Sequence, residues 1–182
     1  MTLPALPITI IFFLTGLAVW ANAMYFLGIG AKPASDTAPN PLTSVGWITL
    51  LAGLADFVQA FYIMAARPAP LGAASVLLAG LVVFYAGFFT FLGITEIRGL
   101  DLRPMGNVSF AVAIVPLFYW QFFAGGWMFR SILIVWMVAF LAVTATTYGK
   151  LMPRVLGLIL LATAIYTFFV PAILLATGNT IP

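Results

Sequence analysis

The aromatic run Tyr85-Ala86-Gly87-Phe88-Phe89-Thr90-Phe91 leads, within eight residues, into Gly99-Leu100-Asp101-Leu102-Arg103-Pro104. An acid and a base are gathered into one tight loop, in a chain that is only 6% charged. Long apolar segments flank the loop on both sides. Pro104 suits the first helical position, where its missing N–H costs nothing. Asp101 can offer its carboxylate to free N–H groups at that start, and Arg103 can pair with it or with lipid headgroups. Asp101 and Arg103 therefore read as a structural loop that starts the next helix, in preference to direct substrate contact.

Composition fixes the class. The chain has 182 residues, 64% of them hydrophobic, and a mean hydropathy of +1.19. Soluble domains are about 45–50% apolar and about 25% charged. An all-α integral membrane protein follows, as a single domain over residues 1–182. Cysteine and histidine are both missing from the sequence. Disulfides, thiolate chemistry, histidine-ligated haem or zinc and a histidine general base are therefore excluded. No cofactor or metal is expected, and no catalytic nucleophile–base pair is present, so the chain does not read as an enzyme. The net charge of +3 lies in loops, which suits a bilayer surface rather than nucleic acid.

A spanning helix needs about 20 mainly apolar residues, and six stretches qualify: 7–29, 42–66, 71–94, 104–123, 127–147 and 155–177. Ala21-Asn22-Ala23 imitates a signal-peptide cleavage site. But Met1-Thr2-Leu3-Pro4 lacks a basic n-region, so the first stretch reads as a retained helix. The connection Arg67-Pro68-Ala69-Pro70 is very short. Loops one, three and five hold Lys32, Arg98, Arg103, Lys150 and Arg154, whereas the other side holds only Arg67 and Arg130. By the positive-inside rule both termini lie outside. Ala113-Ile114-Val115-Pro116-Leu117 in the fourth stretch echoes Phe168-Phe169-Val170-Pro171-Ala172 in the sixth. Each proline frees a carbonyl and kinks its helix, and the echo suggests hairpin pairs one–two, three–four and five–six.

Several stripes recur at helical spacing. Phe12, Thr15, Val19 and Asn22 share a face of the first span, Tyr85 and Phe89 of the third, and Phe129, Leu133, Trp136 and Phe140 of the fifth. The sixth adds Thr163, Tyr166 and Thr167. They suit either a narrow aromatic path for small neutral polar molecules or ordinary packing, with threonines bonded to their own helices. Asp56 reads as the one carboxylate well inside a span, with Gln59 a turn later. It is either a functional group (proton relay, ion site or substrate anchor) or a hydrogen-bonded carboxyl at a helix contact.

These residues carry a resemblance. The hexapeptide Gly99–Pro104, followed by Phe110-Ala111-Val112-Ala113-Ile114-Val115-Pro116, resembles the AmiS/UreI family of urea and short-chain amide channels. Trp20-Ala21-Asn22-Ala23, Leu51-Ala52-Gly53-Leu54 and Phe169-Val170-Pro171-Ala172 extend the match over essentially the whole chain. The resemblance implies six transmembrane helices in three hairpin pairs, with a pore in each protomer. It also implies a ring-shaped, hexameric homo-oligomer around a lipid-filled centre. The location implied is the bacterial cytoplasmic (inner) membrane, as a multi-pass protein.

Its implied function is passive passage of urea or acetamide-like amides to a cytoplasmic urease or amidase. The pore residues it implies are Phe12, Thr15, Val19, Tyr85, Phe89, Phe129, Leu133, Trp136, Phe140 and Thr163, with Asn22 added from the stripe. The sequence departs from the acid-gated urea channel of that family. It lacks the long histidine-bearing loop after the second span, and Thr163 stands where that channel has a carboxylate. A roomier pore without histidine-based acid gating, with pH-independent flux, is the expectation. The alternative is a proton-coupled secondary transporter of small neutral amides using Asp56.

Overall fold

The computed structural model describes residues 8–68 and 71–182. The expectations that rest on Met1–Pro4, on Pro7 and on Ala69-Pro70 in the tight connection lie outside these residues. The described chain is helical, and no strand occurs among the described residues. In chain order the helices are α1 (Ile8–Leu27), α2 (Pro41–Ala66), α3 (Ser75–Arg98, preceded by a 3₁₀ turn), α4 (Arg103–Ile114) and α5 (Trp127–Thr147). The chain ends with α6 (Pro153–Thr163) and α7 (Val170–Ala176), joined by a π-helical turn over Ala164–Phe169.

Local chemistry sets these boundaries. Asn40 accepts a hydrogen bond from the Leu42 N–H at 3.0 Å, with Pro41 in the first turn, so α2 starts capped. Gly99 closes α3 at a φ of 61°, a left-handed position that glycine adopts without strain. Two residues on, the Asp101 carboxylate accepts the backbone N–H of Arg103 at 2.9 Å. The Arg103 side chain pairs with the same carboxylate, Nε to Oδ2 at 2.8 Å. Helix α4 begins there.

Among the described residues, five helical segments are long and apolar enough to cross a membrane: α1, α2, α3 with its 3₁₀ turn, α5, and the α6–π–α7 rod. The fourth expected span differs. Its α-helix has 12 residues and rises only about 18 Å at about 1.5 Å per residue. Pro116 withdraws the N–H that Val112 O needs, and Val115–Tyr119 continues as 3₁₀ helix. Pro171 does the same to Thr167 O, and there the chain widens into the π turn instead. The two echoed prolines are both buried, yet they break their helices in opposite senses.

Helix pairing also departs from expectation. The closest neighbours are α2 with α3 and α4 with α5, while α1 packs on both α2 and α6, so the one–two pair is kept but three–four and five–six are not the main pairs. Small residues explain why. A Cβ on Gly46 would sit 2.8 Å from the Glu96 Cβ, and one on Gly53 would strike the Thr90 backbone, so α2 and α3 meet backbone to backbone. Across α4 and α5, Thr144 donates to the Gly106 carbonyl at 2.9 Å. Gly157 of α6 lies against Leu27 and Ala23 of α1. Facing outward, Trp47, Leu51, Leu54, Val58 and Phe61 of α2 are all about half exposed or more. That four-three-four-three stripe suits lipid or a neighbouring subunit and would be untenable in water.

Candidate functional site

The inward faces of the helices enclose a cavity of about 790 Å³. It runs lengthwise. Ile8 of α1, Leu78 of α3, Phe129 of α5 and Leu175 of α7 lie toward one end, and Phe26, Glu96, Thr146 and Leu156 toward the other. From Leu78 to Glu96 the α3 helix rises roughly 27 Å, at about 1.5 Å per residue, close to the roughly 30 Å of a bilayer's hydrocarbon core.

The candidate pore residues come together on this cavity's lining, whereas Tyr166 and Thr167 of the sixth stripe do not line it. Phe12, Thr15, Val19 and Asn22 arrive from α1, Tyr85 and Phe89 from α3, Phe129, Leu133, Trp136 and Phe140 from α5, and Thr163 from α6. The aromatic rings are packed by edges and faces rather than loosely splayed. Tyr85 meets Trp136 edge-on at 4.6 Å and stacks on Phe140 at 5.8 Å. Trp136 stacks on Phe168 at 5.5 Å. The Trp136 indole N–H donates to Thr167 at 2.8 Å, which holds the ring in place. At one end Phe123 stacks on Phe129 at 5.0 Å.

The polar groups are held as firmly. Thr15 donates to the Asp56 carboxylate, 2.9 Å to Oδ2 and 3.1 Å to Oδ1. Asn22 donates to the Ala18 carbonyl at 3.1 Å and to the Thr49 hydroxyl at 2.9 Å. Thr163, which lines the cavity, bonds back to the Ile159 carbonyl at 2.8 Å, so its proton serves its own helix. The Tyr85 hydroxyl is buried without a partner among the described residues.

Other sequence candidates lie elsewhere. Gln59 is outside the cavity lining. Tyr166 turns to Ser131, at 2.6 Å, in a separate groove near Trp120 and Arg130. Asp101 and Arg103 are exposed and cap α4, although the adjoining Leu102 and Met105 reach the cavity.

The sequence reading missed Glu96. That residue lies beyond the third apolar stretch, 71–94, yet it is 2% exposed and lines the cavity near the end of α3. Asp56 is thus one of two buried carboxyls on this wall. The signal was available: Glu96 follows Phe89 by seven residues and so continues the Tyr85–Phe89 face by two helical turns.

Helix order and packing are those of a multi-helix fold already known from solved structures. Two solved structures share it, both of the urea channel of Helicobacter pylori. The cryo-EM structure of its closed state superposes with a TM-score of 0.77 at 16% identity, over 93% of this chain and 97% of that one. The crystal structure gives 0.75 at 15% identity, over 95% and 99%. This shared fold agrees with the resemblance to the AmiS/UreI family drawn from the sequence. No protein-family model matches the chain, and no curated protein matches it by sequence.

Proposed function

We propose that the protein is a passive channel for urea or short-chain, acetamide-like amides in the bacterial inner membrane, feeding a cytoplasmic urease or amidase. The carrying observation is a lengthwise cavity, close to membrane thickness, walled mainly by aromatic and aliphatic side chains with a few hydrogen-bonding groups, the buried carboxyls of Asp56 and Glu96 among them. Planar amides stack on the slot formed by Tyr85, Phe89, Trp136 and Phe140. Thr15, Asn22 and Thr163 replace part of their hydration. Ions lose hydration against apolar walls without compensation and are rejected.

In this reading α4 and its 3₁₀ extension make the sixth crossing, both termini lie outside, and six copies form a ring through outward faces such as the α2 stripe. No histidine exists to gate it, and in this reading Asp56 and Glu96 keep one protonation state between about pH 5 and 7.5, so flux stays nearly constant.

The rival, a proton-coupled carrier, draws on Asp56, buried on the cavity wall against Thr15. Asp56→Asn separates the two. A channel keeps its downhill flux in proteoliposomes, whereas a coupled carrier loses concentrative uptake.

A further inference from the structure

The cavity lining has two unlike sets of side chains. One is aromatic, built around Tyr85, Trp136 and Phe140. The other is polar, Thr15, Asn22, Asp56 and Glu96, and the Thr15 and Asn22 hydrogens are already committed. The Thr15 proton goes to Asp56, and both Asn22 amide protons go to Ala18 and Thr49. All four line the cavity, and the hydrogen-bonding capacity left to them is on oxygen: lone pairs of Asp56, of the Asn22 Oδ1 and of the Glu96 carboxyl. Glu96 Oε2 has no hydrogen-bond partner among the described residues, although the residue is 2% exposed. On the donor side, Trp136 Nε1 is taken by Thr167, which leaves the unpartnered Tyr85 hydroxyl.

The two acceptor groups lie in series. Thr15 and Asn22 are seven residues apart on one face of α1, a rise of about 10 Å. Asp56 joins the first. Glu96 joins the second from across the α2–α3 seam, where Gly46, one turn before Thr49, would place a Cβ 2.8 Å from its own. We infer that Asp56–Thr15 and Glu96–Asn22 are two hydrogen-bond-acceptor stations that select solutes bearing an unsubstituted NH2 group. The inference rests on the channel reading and adds its selectivity.

A buried acceptor stripped of water by a passing solute must be satisfied by that solute, or the full desolvation penalty is felt. A primary amide or urea brings two or more N–H donors, and its carbonyl can take the Tyr85 hydroxyl. A solute of the same size without N–H leaves both stations dry, and sites of this kind discriminate strongly against such analogues. Two moderate stations, rather than one deep one, also let the solute leave.

Propionamide, N-methylacetamide and N,N-dimethylformamide are isomers with two, one and no N–H, so they separate donor count from size. The test is protein-dependent permeability of proteoliposomes to each, after subtraction of empty liposomes, with urea alongside. The expected order is propionamide, then N-methylacetamide, then N,N-dimethylformamide, with at least about a tenfold span. Glu96→Leu narrows that span severalfold, while Glu96→Gln, which keeps a carbonyl oxygen at the site, preserves it.

Equal permeation of the three isomers with urea flux intact overturns the stations and leaves the channel standing. An unchanged span in Glu96→Leu removes Glu96 from them. If that variant fails to assemble, the wild-type series and Glu96→Gln decide. If urea and all three isomers cross no faster than through empty liposomes, the channel reading fails and the stations fall with it.

Discussion

Thr163 and Asp101 show what single residues contribute. Thr163 is buried on the cavity wall, with its proton tied to Ile159. A bulky Thr163→Trp replacement should narrow the slot and lower urea flux several-fold while the oligomer still elutes intact on size exclusion. Unchanged flux would remove Thr163 from the path. At Asp101, the Arg103 side chain and then its backbone N–H hold the carboxyl down to about 2 from its ordinary 3.8. A depressed carboxyl stabilises the folded state above its unfolded value, and that contribution disappears as pH falls through the folded value. Asp101→Asn should therefore lower the melting temperature of the detergent-solubilised protein at neutral pH. The two proteins should converge as pH approaches about 2. A difference that persists there would assign the effect to something other than the charge. Spacing made the cavity residues legible because each stripe repeats at three and four within one helix. Glu96 escaped because it sits where a span runs into a charged loop, and its burial depends on α2, a different part of the chain.

Helices pack here by where their small residues lie, and this is what the sequence concealed. Six stretches were readable from hydropathy, five of which form helices long and apolar enough to span among the described residues, and the start of α4 was readable from Pro104. Which helix meets which depends on glycines that carry no label of their partner. Gly53 touches the Thr90 backbone, whereas a Cβ on Gly87 of α3 would meet nothing within 4 Å. Gly53→Ala should thus cost about 1–3 kcal/mol through overpacking, seen as a lower melting temperature. Gly87→Ala, the matched control, should be neutral or slightly stabilising. Equal effects would contradict the α2–α3 seam. Proline 3₁₀ and π adjustments were equally hidden: Pro116 and Pro171 both follow a valine in an apolar stretch, yet the chain tightens at the first and widens at the second.

Across the whole molecule, the fold joins an apolar exterior to a lengthwise aromatic cavity lined by two buried carboxyls. The proposed function follows from that combination rather than from any one side chain. It is tested most directly by stopped-flow light scattering on proteoliposomes, with urea and acetamide gradients at about pH 5 and 7.5. The account predicts fast flux of both solutes, linear in the gradient and alike at the two pH values. Flux no greater than through empty liposomes, from protein that is still oligomeric, would contradict it. A steep rise in acid would contradict the ungated reading and direct attention to Asp56 and Glu96.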